Sequence, residues 1–184
     1  MLIVLGGLPG TGKTTIAREV AGRCRATYLR IDSIEQAVRS AEVLAGDIGS
    51  AGYLTAYALA GTNLELGQIV VADCVNPLGV TRAAWRTVAA DAASPLIEIE
   101  VVCSDAREHR RRVESRTVDV PGLILPSWAS IQAHDYEPWM GSRLVIDTVL
   151  LNPSEAASKV CAEIDARRSA WLAGHLAIST TGRL

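Results

Sequence analysis

The chain has 184 residues, 49% of them hydrophobic and 21% charged, with a formal net charge of −2 at pH 7. That composition suits one globular domain with a substantial core and excludes disorder, and the balanced charge gives no global basic field for nucleic acid. No apolar run is long enough to span a membrane, Met1–Leu5 lacks the basic flank of a signal peptide, and Cys24, Cys74, Cys103 and Cys161 form no CxxC pair, so a cytoplasmic protein with free thiols is expected.

Leu2–Leu5 is a short, continuously apolar run, the pattern of a central parallel strand buried on both faces. Gly6–Gly12 interrupts it. Thr14–Cys24 then places Ile16, Val20 and Ala21 on one helical face and leaves Arg18 and Glu19 to solvent. Thr27–Ile31 reads as a second strand ending at Asp32, Ser33–Ala45 as a helix stopped by Gly46, and Ala51–Leu66 as an alanine-rich helix ended by Gly67. Gln68–Ala72 is another buried strand, ending at Asp73. Thr81–Ala93 is a helix with Trp85 and Val88 on its apolar side. Ile97–Cys103 is a strand in which Glu98 and Glu100 alternate with apolar neighbours, which predicts one face near solvent. A basic helix over Ala106–Arg116, an irregular stretch over Val118–Pro126 and a short helix over Ser127–His134 follow. A strand over Leu144–Ile146 and a helix over Ser154–Ala173 complete the series.

Strands alternating with helices predict an α/β fold, a parallel sheet sandwiched by helices. One domain is expected over residues 1–175, with a small helical lid at about 104–138 and a flexible tail at 176–184. Ligands of such sheets sit beyond the carboxyl ends of the strands. Gly6-Gly7, Asp32 and Asp73 converge on that rim.

GGLPGTGKTT, Gly6–Thr15, completes the pattern GxxxxGK[ST] with Gly7, Gly12, Lys13 and Thr14. Glycines let the backbone turn with its N–H groups pointing inward, forming an anion nest. Gly7, Gly10, Thr11, Gly12, Lys13, Thr14 and Thr15 are the expected nucleotide-binding set. Lys13 reaches the β- and γ-phosphates, the Thr14 hydroxyl ligates Mg²⁺, and the following helix adds its positive end. ATP with magnesium is the simplest ligand, since no NKxD element selects guanine.

Asp32 has two readings: the cap of a helix, or the group that accepts a proton from an acceptor hydroxyl attacking the γ-phosphorus. Asp73, delivered to the rim by the apolar strand IVVA, reads either as a turn residue or as an acid that supports the metal. In HRRRVESR, His109–Arg116, the residues Arg112 and Arg116 lie four apart and share one helical face. They suit the spread negative charge of a phosphoryl transition state, whereas Arg110 and Arg111 read as solvated. VDVPGLILP, Val118–Pro126, suits a flexible lid that excludes water.

With these residues placed, the chain resembles the P-loop kinase group related to adenylate kinase, which includes gluconate kinase, chloramphenicol phosphotransferase, the zeta toxins and the polynucleotide kinases. The resemblance covers most of residues 1–150. VVADCVNPLGVTRAAW, Val70–Trp85, is similar to the acid, Asn-Pro turn and Arg/Trp helix of phage-type polynucleotide kinases. Asp32 matches their acid after the second strand, and Arg112 with Arg116 matches their lid arginines. PSWASIQAHDYEPW, Pro126–Trp139, resembles a signature of uncharacterised bacterial members, read here as packing of the lid base, with an acceptor or adenine pocket for Tyr136 and Trp139 as the alternative. One departure matters. Polynucleotide kinases carry an arginine shortly after the second-strand acid, and here Glu35 follows Asp32, a charge that repels a phosphate backbone.

The resemblance implies an ATP-dependent kinase acting on a hydroxyl of a small molecule, with Lys13, Asp32, Arg112 and Arg116 as the catalytic set and Thr14 and Asp73 at the metal. Arg30, Asp32, Asn76 and Arg82 are the expected acceptor contacts, the two arginines keeping an anionic acceptor in play. Asn76 also reads as an Asn-Pro turn. Residues 34–66, with Val38, Val43, Leu44, Tyr53, Tyr57 and Leu64, are read either as the acceptor pocket or as core. A polynucleotide 5′-hydroxyl kinase and an ATP-binding regulator or slow ATPase are the alternatives.

Overall fold

A computed structural model describes residues 1–41 and 46–181, with side chains described as far as residue 173. Five strands form one parallel sheet: β1 (Leu2–Gly6), β2 (Thr27–Arg30), β3 (Val70–Asp73), β4 (Leu96–Val102) and β5 (Leu144–Asp147). Their order is β2-β3-β1-β4-β5, so β1 is central and its Leu5 lies beside Asp73 of β3. The helices are α1 (Lys13–Cys24), α2 (Ile31–Ser40), α3 (Ala51–Glu65), α4 (Gly79–Asp91), α5 (Ala106–Glu114), α6 (Trp128–Gln132) and α7 (Pro153–Thr181). No helix among the described residues is long and apolar enough to cross a membrane.

The two-residue period of a strand divides β1 between two cores. Ile3 and Leu5 pack with Ile16 and Val20 of α1 and with Val160 and Ile164 of α7. Leu2 and Val4 face the other side, with Ala56, Ala60 and Leu64 of α3 and Trp85 of α4. β1 is therefore apolar at every position because both of its faces are covered.

Several boundaries differ from expectation. β2 ends at Arg30, and Asp32 sits in the first turn of α2 rather than at a strand end. Backbone pairing with β3 stops at the Arg30–Asp73 register, which frees the chain to coil one residue later. The predicted helix end at Ala45, and with it Val43 and Leu44, lies outside the described residues. Glu98 and Glu100 of β4 do not open to water. They pair with Arg86 and Arg143, their side chains 9% and 14% exposed. α7 continues to Thr181, past the predicted end at Ala173. Leu64 is core, and the Tyr57 ring meets Trp85 edge-on at 4.6 Å, so these two pack the fold rather than line a ligand pocket.

Candidate active site

β1 delivers Gly6 and Gly7 to the rim, and the chain turns through Gly10 and Gly12 before α1 begins at Lys13. Gly10 and Gly12 have φ of 84° and 93°, a region that favours glycine. The loop is braced from behind. A side chain on Gly10 would stand 2.5 Å from Val113 of α5, so the helix packs on bare backbone. His109 Nε2 lies 2.8 Å from the Pro9 carbonyl, and its ring meets Trp128 edge-on. Thr148 Oγ1 approaches the carbonyls of Thr11 and Val102 at 2.9 and 3.1 Å.

The expected nucleotide set divides by position. Gly10, Gly12, Lys13, Thr14 and Thr15 line a cavity of about 380 Å³ together with Arg112 and Arg116. Gly7 and Thr11 sit behind it. A side chain on Gly7 would stand 2.3 Å from the Val101 carbonyl, and the Thr11 hydroxyl donates to Leu8 O at 2.9 Å. Lys13 is buried, and among the described residues no hydrogen bond ties its ammonium to another side chain. Arg112 is aimed by Glu108, which accepts from Nε at 2.7 Å, and by Thr148, which accepts from Nη1 at 2.7 Å. Arg110 and Arg111 form exposed pairs with Glu114 and Glu108, as expected of a solvated face. Beside the cradle, Gly12, Thr15, Arg112, Thr148, Val149 and Pro153 bound a third space of about 450 Å³.

A second cavity, about 480 Å³, lies on the other side of Lys13 and Arg116. Asp32, Glu35 and Gln36 of α2 form one wall, and Gly122, Leu123 and Ile124, between α5 and α6, form another. The two cavities therefore share Lys13 and Arg116, with Asp32 lining one of them and the glycine cradle the other.

Behind Asp32, Arg30 is a buried hub. Its guanidinium donates to Asp119 Oδ2 at 2.6 Å and Oδ1 at 3.0 Å, reaches Asp32 at 3.5 Å, and has Nε 4.0 Å from Asp73. Asp119 also meets Arg18 at 3.2 Å and Arg116 at 3.6 Å. Hydrogen bonds from Arg30 hold the Asp119 carboxyl down to about 2. Asp73 is buried; its Oδ2 accepts from the Tyr28 hydroxyl at 2.7 Å, while Oδ1 is buried with no hydrogen-bond partner. An orphaned buried carboxylate oxygen at the end of β3, next to β1, fits a group that supports a divalent cation.

Of the four residues expected at the acceptor, only Asp32 lines the second cavity. Arg30 is spent on three carboxylates. Arg82 is buried under the Trp139 ring at 4.3 Å, and its donors go to the carbonyls of Asn76, Pro77, Glu137 and Pro138 at 2.7–3.0 Å. It clamps the Asn-Pro turn to Glu137 and Pro138. Asn76 is the turn itself, with φ 51° and its Oδ1 accepting from the Thr81 hydroxyl at 2.8 Å. Trp139 packs over Gly6, where a side chain would stand 2.5 Å from the indole, and its N–H donates to the Tyr136 hydroxyl. That is the packing role expected for this segment.

Sequence reasoning missed Asp119, His109 and Thr148. Thr148 follows the end of β5, and the rule that places ligands beyond strand ends points to it. Asp119 lies in an irregular stretch and His109 in a helix read only for charge; their partners are Arg30 and Pro9, far away in sequence.

The family model for an AAA domain, AAA_33, matches residues 2–122, and the chain belongs to that family. An uncharacterized protein of Mycobacterium tuberculosis is 28% identical over 193 residues, 98% of this chain. The chain spans about a third of that relative's length, 32%. The fold is that of P-loop kinases. An APS kinase of Mycobacterium tuberculosis, solved with AMPPNP and APS, aligns with a TM-score of 0.66 at 21% identity, covering 89% of this chain and 96% of that one. A gluconokinase of Sinorhizobium meliloti gives 0.63 at 20% identity, covering 92% and 95%. Kti12 of Chaetomium thermophilum, solved with ADP-AlF3, gives 0.64 at 20%, covering 91% and 98%.

Proposed function

We propose that this protein is an ATP-dependent phosphotransferase that moves the γ-phosphate to a hydroxyl of a small acceptor. The observation that carries the reading is the pair of cavities that meet at Lys13 and Arg116, with the glycine cradle on one side and Asp32 on the other. A phosphoryl group passed from cradle to acceptor crosses between those two cations. The known structures of this fold solved with nucleotide analogues support the cradle as a nucleotide site.

In this mechanism the loop N–H groups and Lys13 hold the β- and γ-phosphates. The base occupies the space between Arg112 and the Thr148–Pro153 segment. The Thr14 hydroxyl and Asp73 would hold a magnesium ion, which would neutralise phosphate charge when bound. Asp32 accepts the proton of the acceptor hydroxyl as its oxygen bonds to the γ-phosphorus. The bond from that phosphorus to the β–γ bridging oxygen breaks, and ADP leaves. Arg116 and Arg112 balance the charge spread over the transferring group.

The test is Asp32→Asn. Transfer is expected to fall by about 10²–10⁴-fold, while AMPPNP affinity measured by calorimetry stays within about threefold of wild type. A variant that turns over ATP normally with the same acceptor sinks the assignment of Asp32. Slow ATP turnover that no acceptor stimulates favours a nucleotide-dependent regulator instead.

A further inference from the structure

The cavity on the Asp32 side has a chemistry of its own, whose reading rests on the phosphotransferase assignment. Every arginine near that side is already engaged. Arg30, its side chain 3% exposed, is shared by Asp119, Asp32 and Asp73. The donors of Arg82 go to four backbone carbonyls. Arg39 pairs with Glu35 at 3.4 Å. At the far wall Lys13 and Arg116 also line the cradle, and the γ-phosphate claims them. The other polar groups of the lining are Asp32, Glu35 and Gln36, all of them hydrogen-bond acceptors with the Gln36 amide also a donor, and Arg39, which is paired with Glu35.

Two glycines build this wall. A side chain on Gly52 of α3 would stand 2.2 Å from Glu35 Cγ, so α3 leaves the groove in which Glu35 lies. Gly122 of the lid segment has φ 82°, and a side chain there would stand 2.6 Å from Gln36 Nε2. The lid thus closes directly on Gln36. Burial raises the Glu35 carboxyl above its ordinary range, with Arg39 acting against it. Arg39 donates to Glu35 Oε2 at 3.4 Å, and among the described residues no hydrogen bond reaches Oε1. Glu35 therefore retains capacity for a donor brought by a ligand.

We propose that the acceptor is a small hydroxylated molecule rich in hydrogen-bond donors and free of phosphate and carboxylate groups, and that Glu35 and Gln36 select it. A polyol and an amino sugar share this chemistry. An anionic acceptor sets its charge against Asp32 and Glu35, and the one arginine of that wall, Arg39, is already paired with Glu35. A donor-rich one gives the hydroxyl to be phosphorylated to Asp32 and its neighbouring donors to Glu35 and Gln36, while Leu123 and Ile124 cover its apolar face.

The experiment titrates Mg–AMPPNP-loaded protein with a panel of polyols and amino sugars and with gluconate and glucose 6-phosphate, and follows ADP release from ATP with the same compounds. A polyol or amino sugar is expected to bind at least about tenfold tighter than either anion. Glu35→Gln, which keeps the side chain's size, is expected to raise that acceptor's KM about tenfold with kcat changed less than about threefold. A preference for amino sugars over polyols that Glu35→Gln erases identifies an ammonium as the donor. Equal binding of the two identifies hydroxyls. Anions that bind as well or better, no binding by any compound, or an unmoved KM in Glu35→Gln overturns the proposal. Donor-rich acceptors that bind without ADP release keep the cavity assignment and sink the phosphotransferase reading, whereas release driven by gluconate does the reverse.

Discussion

Arg30 at the end of β2 and Asp119 in the segment after α5 form a two-pronged ion pair at 2.6 and 3.0 Å, joining positions 89 residues apart. Arg30 is buried, while Asp119 is partly open and also meets Arg18 and Arg116. The segment after α5 is therefore pinned at the same carboxylate that helps place Arg116. Asp119→Ala leaves Arg30 with only Asp32 and Asp73. A stability loss of about 1–3 kcal/mol is expected, with faster proteolysis between residues 115 and 126. Unchanged protection of that segment argues against the latch.

Lys13→Ala removes the buried ammonium of the cradle and leaves the packing of β1 and α1 in place. AMPPNP affinity is expected to fall by at least about 10²-fold with the Tm in the absence of nucleotide within a few degrees. Fluorescence titration and thermal unfolding read the two effects separately.

Thr148→Val removes the oxygen that accepts from Arg112 and touches the Thr11 carbonyl. Loss of one charge-assisted bond is worth about 1–2 kcal/mol. Nucleotide affinity is expected to drop roughly tenfold, and calorimetry with AMPPNP measures it. A larger drop for a ribose-free triphosphate than for AMPPNP contradicts a role near the base.

Arg82→Met separates a structural arginine from an acceptor-binding one. The substitution orphans four carbonyls that now accept from the guanidinium, and a loss of about 3 kcal/mol or more is expected. The surviving folded enzyme should keep its acceptor KM. A raised KM at unchanged Tm returns Arg82 to the acceptor site.

Glu35 has a pH signature. Burial raises its carboxyl in the folded state, so its contribution is present below the ordinary glutamate range and is lost as pH rises through the folded value. Glu35→Gln is therefore expected to raise Tm at pH 7, with the gain vanishing below about pH 4. Thermal melts at the two pH values check the sign. A gain that persists at low pH attributes it to packing instead.

The cradle was legible because everything in GGLPGTGKTT is local: the glycines, the lysine and the helix start lie within ten residues. The alternation of strands and helices likewise carried the parallel sheet. Arg30 and Arg82 were misplaced for a common reason. A sequence shows that an arginine stands near the rim, and only the fold shows that Asp119 or the Glu137 and Pro138 carbonyls have already claimed it. Asp32 was placed at the end of a strand, and it arrives at the same rim one residue into a helix because α2 begins directly after Arg30.

The phosphate loop touches its neighbours through features that have no slack. Val113 rests on bare Gly10, His109 reaches Pro9, and Thr148 reaches Thr11. Two of these three contacts come from α5, the helix that precedes the Asp119 and Gly122 segment. α5 therefore joins the phosphate loop to the segment in which Gly122 lies against Gln36, so the loop and the wall of the second cavity rest on one helix and the chain that follows it.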